Sequence, residues 1–318
     1  MITIAGAGIA GLACAYELMR RNIPVTVYET SSDPGTNTCS RFAGGMLAPW
    51  CERESAEEQV ITLGVGSINW WAQITKITRA GTLVLAPHRD KAELVRFARR
   101  TTGYKQVSQS EIAVLEPSLA GRFAQGLFFK DEAHLDPRKA LSDLACKVQK
   151  MGGRILFDTP APQNVDVNCT GTAAVNLPDL RPVRGEMAML YAPEVKITRT
   201  LRLLHPRVPL YLVPRGDGIY MVGATMIESS STRPITLRSL MELLGAAFTL
   251  HSGFAEAAVI ETGAGLRPAF PDNLPRLINQ DGTLYLNGLY RHGFLLAPAM
   301  AAKVADHFTS ENTHEHYR

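Results

Sequence analysis

Three glycines near the start of the chain have the spacing of a phosphate-binding turn. Gly6, Gly8 and Gly11 form a Gly-x-Gly-x-x-Gly sequence. The first glycine permits a tight turn, the second lets backbone N–H groups approach a pyrophosphate, and the third lets a helix pack closely on a strand. Glu29 follows Gly11 by eighteen residues, where a carboxylate can accept hydrogen bonds from ribose hydroxyls. The spacing predicts a dinucleotide site but does not separate NAD from FAD.

The elements around these glycines fit that interpretation. Residues 1–5 are rich in strand formers, residues 12–20 favour a helix, and residues 24–28 form a second short apolar run. Strand, glycine turn, helix and strand is the order that a dinucleotide fold requires. Another apolar run at 165–169 ends in Thr170-Gly171, which is typical of two-domain FAD proteins whose chain returns to its first sheet.

Composition excludes several function classes. With 318 residues, of which 46% are hydrophobic, the chain is long enough for two globular domains. The net charge of +3 comes from scattered Lys and Arg residues, so nucleic-acid binding has no support. Five cysteines without a Cys-x-x-Cys pair argue against zinc, any other metal site and a disulfide framework. No basic signal-peptide region or membrane-length apolar run occurs, so we expect a cytoplasmic protein.

Several further sequence blocks resemble the D-amino-acid oxidase family of FAD-dependent oxidoreductases, and within it the glycine oxidases of thiamine biosynthesis. The first is a loop of small residues, Ala43-Gly44-Gly45-Met46-Leu47-Ala48-Pro49, similar to the family's loop that lies against the flavin. The others follow in the family's order and extend the resemblance over nearly the whole chain: Tyr211-Leu212-Val213-Pro214-Arg215, Val222-Gly223-Ala224-Thr225-Met226, Gly265-Leu266-Arg267-Pro268 and Tyr290-Arg291-His292-Gly293-Phe294-Leu295-Leu296-Ala297-Pro298.

The resemblance implies a mixed α/β fold with two domains. A Rossmann-like FAD-binding domain would comprise residues 1–50, 135–182 and 263–318, and an antiparallel-sheet substrate domain would comprise 51–134 and 183–262. The cofactor would be non-covalent FAD. The residues expected to contact it are Gly6, Gly8, Ile9, Ala10, Gly11, Glu29, Thr30, Cys39, Ser40, Gly44, Gly45, Met46, Thr170, Gly171, Arg291, His292, Gly293, Phe294 and Leu295. Adenine contacts near 158–164 cannot be carried over, because that segment is shorter than in relatives and contains prolines.

Three residues are candidates for the chemistry. Arg267 lies in an apolar stretch without acidic neighbours, so its planar guanidinium is free to grip a substrate carboxylate; the alternative is a structural arginine that bridges strands. Tyr211 would add a hydroxyl to the same carboxylate, unless it is an ordinary half-buried strand tyrosine. Arg291 would stand at the rim of the pocket.

The resemblance implies oxidation of a small amino acid by O₂. Glycine would give an imine and then glyoxylate, with H₂O₂, in the service of thiazole synthesis for thiamine. Sarcosine or a small D-amino acid stays open as the substrate. So do a dehydrogenase that passes electrons elsewhere and a non-catalytic FAD-binding subunit. No nucleic-acid or membrane partner is expected, and a homo-oligomer, tetrameric as family members often are, stays open too.

Helix signals complete the sequence predictions. Asp136 before Pro137 predicts a helix start. Residues 54–77 predict one amphipathic helix in which Trp70 and Trp71 serve the core or an interface. Pro298 predicts the first turn of another helix, whose positive end would face a reduced flavin.

Overall fold

The structure is a computed structural model that describes residues 1–205 and 209–315, with side chains as far as residue 310. Its helices, in chain order, are α1 (Ile9–Arg20), α2 (Pro49–Glu52), α3 (Glu58–Gly64), α4 (Ser67–Ala72), α5 (Lys91–Arg100), α6 (Gln109–Leu115), α7 (Pro137–Lys150), α8 (Leu237–Leu250) and α9 (Gly293–Glu315).

The strands of the same residues, again in chain order, are β1 (Ile2–Ala5), β2 (Val25–Tyr28), β3 (Met46–Leu47), β4 (Ile77–Thr78), β5 (Thr82–Leu85), β6 (Lys105–Ser108), β7 (Gln125–Phe129), β8 (Ala133–Leu135), β9 (Arg154–Leu156), β10 (Val167–Asn168), β11 (Arg181–Tyr191), β12 (Thr200–Leu203), β13 (Leu210–Gly216), β14 (Ile219–Gly223), β15 (Ile227–Glu228), β16 (Ala258–Ala269), β17 (Arg276–Gln280) and β18 (Thr283–Asn287).

A six-stranded sheet contains the predicted opening motif. Its order is β17-β18-β10-β1-β2-β9, and all neighbouring pairs are parallel except β17 with β18. The helix between β1 and β2, α1, packs against both α7 and α9. Parallel strands need such helical crossovers and become buried, which explains why Ile4, Val27 and Val167 are fully or almost fully inaccessible. The predicted strand, turn, helix and strand are therefore confirmed.

A larger sheet has the order β15-β11-β14-β13-β12-β5-β7-β6, with β16 also paired to β11. Successive side chains of β13 point to opposite faces of this sheet. Leu210 and Leu212 belong to a core that includes side chains of α8, whereas Tyr211 and Val213 face a second apolar cluster with Met221. The long β11–β16 pair places Arg267 opposite Val183. Residues 263–269 of β16, predicted to belong to the FAD-binding segment, thus lie in the larger sheet.

Two helix predictions are corrected by the structure. The single helix predicted over 54–77 is two short helices, α3 and α4, separated by Val65 and Gly66. Glycine is a poor helix former, and the break follows Gly64 and includes Gly66. Gly64 also lets α3 approach α9, since a Cβ atom on it would lie 2.8 Å from the side chain of Leu295. The helix predicted to begin at Pro298 begins five residues earlier, at Gly293. By contrast, Asp136 caps α7 as predicted, since its side chain accepts hydrogen bonds from two backbone N–H groups of the first turn.

Pro298 is tolerated inside α9 because another group replaces its missing donor. A proline has no N–H, so the carbonyl four residues earlier, that of Phe294, loses its helical partner. The indole Nε1 of Trp71 donates to this carbonyl at 2.8 Å. Trp71 is fully buried and Trp70 nearly so, which confirms their placement in the core.

Candidate active site

A cavity of about 780 Å³ lies between the six-stranded sheet and the larger sheet. Most of the residues predicted for cofactor or substrate line it: Gly8, Ile9, Ala10, Cys39, Ser40, Gly44, Gly45, Met46, Thr170, Gly171, Tyr211, Arg267, Arg291, His292, Gly293, Phe294 and Leu295. The remaining four, Gly6, Gly11, Glu29 and Thr30, are absent from the lining. The fold therefore brings together residues that are up to 287 positions apart, between Gly8 and Leu295.

The glycines of the opening turn fall into two classes. Gly6 has φ +94°, and a Cβ atom on Gly11 would lie 1.9 Å from the carbonyl oxygen of Gly6, so protein geometry requires glycine at both positions. Gly8 has an ordinary φ of −74°, and a Cβ atom there would come no closer than 3.6 Å to Thr38. Because the protein alone does not require glycine at position 8, the open backbone at the start of α1 fits a phosphate ligand.

Glu29 supports the same turn. It is buried, its Oε2 accepts from the backbone N–H of Ala7 at 2.7 Å, and its Oε1 accepts from the N–H of Ser31 at 2.9 Å and from the Thr30 hydroxyl at 3.3 Å. The Oε2 atom retains one lone pair, since a carboxylate oxygen can accept two hydrogen bonds. Its predicted bond to a ribose stays a prediction.

Arg215 holds the small-residue loop, a role that the sequence did not reveal. Its guanidinium donates to the carbonyls of Ala43, Gly44 and Leu135 at 2.9–3.1 Å. Gly45 has φ +72°, and a Cβ atom on it would lie 2.3 Å from the Leu135 carbonyl oxygen. The loop is thus fixed from both sides, with its small residues facing the cavity.

Arg267 reaches the cavity as a half-buried cation. Its Nη1 donates to the carbonyl of Thr225 at 2.9 Å, and no carboxylate of the described residues forms an ion pair with it. Gly185 provides its space, because a Cβ atom there would lie 2.1 Å from the Arg267 Nη2. Burial and the nearby Arg291 charge lower the pKa of Arg267 from its usual value. An arginine side chain is nevertheless effectively always protonated at neutral pH, so Arg267 is a cation. Its remaining N–H donors are available to a ligand.

Glu52 is the central buried group that sequence reasoning missed. Its Oε1 accepts from the Tyr211 hydroxyl at 2.5 Å, and its Oε2 lies 2.9 Å from His292 Nε2 and 2.7 Å from Arg291 Nη2. Burial opposes ionisation of Glu52, but the Arg291 charge and the His292 hydrogen bond hold its pKa well below the usual range. Glu52 is therefore a carboxylate.

These bonds constrain two of the predicted roles. Tyr211 donates its one hydroxyl hydrogen to Glu52, so donation to a substrate carboxylate would require that bond to exchange. Burial raises the pKa of Tyr211, so it stays protonated. Arg291, predicted at the rim of the pocket, lines the cavity with its side chain 16% exposed, and its charge is compensated by Glu52. In the sequence, the one feature that points to Glu52 is its position three residues after Pro49, the last residue of the small-residue loop.

A second buried carboxyl group, that of Glu132, holds the helix that carries Glu52. Glu132 is 1% exposed, its Oε1 accepts from the backbone N–H of Cys51 at 2.7 Å, and its Oε2 has no hydrogen-bond partner among the described residues. Burial raises the pKa of Glu132 to about 8. The carboxyl group is thus mainly protonated at neutral pH.

Replacing Glu132 with glutamine should therefore stabilise the protein increasingly as pH rises. In the unfolded chain the carboxyl group loses its proton near pH 4.5, whereas in the folded chain it does so near pH 8, so wild-type stability falls as pH rises between these values. Glutamine mimics the protonated form. The unfolding free energy of E132Q relative to wild type should rise by on the order of 3 kcal/mol from pH 5 to pH 8.5 in denaturant titrations.

The control for this prediction is Glu261→Gln. Glu261 pairs with Arg138, which lowers the pKa of the Glu261 carboxyl group, so its pH dependence lies below pH 4.5. A stability difference between E132Q and wild type that stays constant from pH 5 to pH 8.5 would contradict the prediction.

The sequence profile of the family of FAD dependent oxidoreductases (DAO) matches residues 1–307. The chain belongs to this family. Its cofactor is accordingly FAD, and the open backbone at Gly8 fits the pyrophosphate of that group. In the parts of the chain that the structure describes, no helix is long and apolar enough to cross a membrane, and no cluster of His, Cys, Asp and Glu is arranged to hold a metal ion.

Individual relatives of this FAD-dependent oxidoreductase cover nearly its full length. It is 54% identical over 317 residues to a candidate thiamine biosynthesis oxidoreductase, ThiO, of Rhizobium etli, covering 98% of this chain and 97% of that protein. It is 25% identical over 345 residues to the glycine oxidase of Bacillus subtilis, covering 95% and 91%.

Two solved structures share the fold. The glycine oxidase of Geobacillus kaustophilus matches with a TM-score of 0.78 and 23% identity, covering 96% of this chain and 93% of that one. The iminodiacetate oxidase of a Chelativorans species matches with a TM-score of 0.78 and 23% identity, covering 96% and 94%. These likenesses confirm the predicted mixed α/β architecture of this oxidoreductase.

Proposed function

We propose that this oxidoreductase oxidises glycine with O₂ and water to glyoxylate, ammonia and H₂O₂, by way of the imine, and that it serves thiazole formation in thiamine biosynthesis. The observation that carries the substrate class is Arg267, a half-buried guanidinium on the cavity wall without an acidic partner among the described residues. A small amino acid offers a carboxylate as its fixed handle, and a guanidinium binds it through two parallel hydrogen bonds. The names of the ThiO and glycine oxidase relatives support the same assignment.

The residues proposed to hold FAD are those of the sequence prediction. The turn from Gly6 to Gly11 would receive the pyrophosphate at the start of α1, and Glu29 the ribose. The small-residue loop would lie beside the flavin ring. The N–H groups of residues 293–295 lie in the first turn of α9, where they have no acceptor within the helix. These groups would be available to the polar edge of the flavin ring. We expect no covalent bond to the protein.

Catalysis would depend mainly on positioning. When bound, FAD supplies the acceptor for the hydride that leaves the substrate Cα. Arg267 would orient the substrate carboxylate, and the apolar walls, which include Met46, Met221 and Phe42, would exclude water. Glu52 keeps Tyr211 and Arg291 fixed around this space.

The purified holoenzyme should reduce its flavin with glycine under anaerobic conditions and release peroxide in air. We expect bleaching of the visible flavin spectrum with glycine, and the same titration with sarcosine and D-alanine ranks the substrates. Flavin reduction without O₂ consumption would indicate a dehydrogenase instead. A flavin that none of these amines bleaches would overturn the amine-oxidase proposal and favour the non-catalytic subunit.

We also propose a cytoplasmic homo-oligomer. The exposed face of α8 carries Leu237, Met241 and Phe248, whose exposed fractions are 76%, 65% and 51%. Their spacing places them along one side of the helix, and a row of large apolar side chains of this kind supports self-association.

A further inference from the structure

The arginines that line the cavity differ in whether they pair with an acidic side chain. Arg96 pairs with Glu93 at 2.5 Å, Arg202 with Glu54 at 3.2 Å, and Arg291 with Glu52 at 2.7 Å. Among the arginines of this lining, and within residues 1–205 and 209–315, Arg267 alone has no acidic partner. The fourth acid of the wall, Glu186, is paired with Arg184. The cavity thus has one uncompensated arginine, which matches a ligand with one carboxylate.

We propose that Glu52 makes the site selective for amino acids with a single carboxylate, by neutralising the second guanidinium, that of Arg291, which would otherwise bind a second carboxylate. The inference rests on the proposed function, since it concerns the substrates of that same site.

The contacts of the Glu52 carboxylate prevent a ligand from displacing it from Arg291. Its two oxygens are bonded by Tyr211, His292 and Arg291, and it is 3% exposed. The helix that carries it is itself fixed, because the N–H of Cys51 donates to Glu132. Release of Glu52 would leave a buried carboxylate without its donors, which is strongly unfavourable.

A second carboxylate would also meet repulsion. To reach Arg291, a dianionic ligand would place one carboxylate beside Glu52 Oε2, which is 2.7 Å from that guanidinium. Two carboxylates that contact the same guanidinium repel each other in a partly desolvated site, and such repulsion is a common source of specificity. The other charges around Glu52 do not offset this effect, since Arg202 is paired with Glu54. Arg267 would already hold the first carboxylate.

Iminodiacetate is a suitable probe because it is glycine with a second carboxymethyl group on nitrogen. In the holoenzyme, Glu52→Gln should raise the ratio of kcat/KM for iminodiacetate to that for glycine at least tenfold. Glutamine keeps an oxygen that can accept from Tyr211 but removes the charge.

Binding without turnover is measured from the change in the flavin spectrum when a carboxylate ligand is added. In E52Q the Kd of malonate, a dicarboxylate, should fall at least tenfold. The Kd of acetate, a monocarboxylate, should change less than threefold.

Two variants separate charge from other effects. Glu261→Gln removes a carboxylate that is also paired with an arginine but is absent from the cavity wall. This variant should leave unchanged the kcat/KM ratio of iminodiacetate to glycine and the Kd values of malonate and acetate. The double variant E52Q/R291M removes the freed guanidinium as well, so its preference for malonate should return to the wild-type value. If the gain persists in the double variant, or if acetate and malonate gain equally in E52Q, the proposal is overturned.

Wild-type protein tests the inference even if E52Q does not fold. At neutral pH wild-type holoenzyme should bind acetate more tightly than malonate, and tighter binding of malonate would overturn the proposal. This titration needs no turnover. An enzyme that fails to oxidise glycine but still prefers acetate would contradict the proposed function and leave the role of Glu52 supported.

Discussion

Arg267→Met should lower kcat/KM for glycine by about 10³-fold while FAD stays bound. The expected loss corresponds to about 4 kcal/mol, since two hydrogen bonds to a charged carboxylate disappear together. Methionine fills much of the same space without a charge, so the neighbouring Gly185 meets no larger group. Steady-state kinetics with glycine and the flavin content of the purified variant provide the measurement.

Two comparisons make this expectation specific. Arg267→Lys retains the charge but loses the bidentate geometry, so its kcat/KM should lie between those of wild type and R267M. Arg138→Met removes an arginine that is paired with Glu261 outside the cavity, and it should keep nearly full activity. If R267M oxidises glycine within tenfold of wild type, Arg267 is not the carboxylate clamp and serves only to bridge β16 to the Thr225 carbonyl.

The predictable part of the site consists of residues whose roles depend on neighbours close in the chain. The turn at Gly6, Gly8 and Gly11 is a local event, because its strand, turn and helix are consecutive, and the cap of α7 at Asp136 depends on two residues that follow it. Local rules of backbone conformation and capping are sufficient for such features. The family resemblance added the loop at 43–49 and the proposal that Arg267 binds the substrate carboxylate.

The unpredicted part depends on contacts between distant segments. Glu52 acquires its role from Tyr211 and His292, which are 159 and 240 residues away in the chain. Arg215 acts on carbonyls 172 and 171 residues distant, and nothing in its own segment indicates them. Only the pairing of strands and the docking of α9 bring these groups together, so their chemistry follows from tertiary structure.

The predicted start of α9 was wrong because it also depends on a contact between distant segments. Proline is favoured in a helix's first turn, and this preference placed the predicted start at Pro298. In the folded chain the indole of Trp71 satisfies the carbonyl that Pro298 leaves without a donor, so the helix extends back to Gly293. A partner 223 residues away therefore overrides a local rule. The earlier start of α9 places residues 293–295, whose N–H groups have no acceptor within the helix, at the cavity wall.

Gly8→Ala should leave the apoprotein folded but weaken FAD binding roughly 100-fold, or about 2.7 kcal/mol. Gly8 has φ −74°, and its Cβ position is 3.6 Å from the nearest protein atom, so alanine meets no strain in the protein itself. Gly8 lines the cavity, and we expect the added methyl group to stand where the pyrophosphate of FAD would approach the backbone. Titration of apoprotein with FAD, followed by flavin fluorescence, gives the two dissociation constants.

Two other glycines distinguish this effect from damage to the fold. Gly11→Ala would place its Cβ atom 1.9 Å from the Gly6 carbonyl oxygen, so this variant should destabilise even the apoprotein. Gly245→Ala lies in α8 with no atom within 4 Å of the added carbon, and its FAD affinity should equal that of wild type. If G8A binds FAD as tightly as wild type, the pyrophosphate does not lie against the opening turn. If the G8A apoprotein is unfolded, the fold itself requires glycine at position 8, and our inference that only the cofactor requires it is wrong.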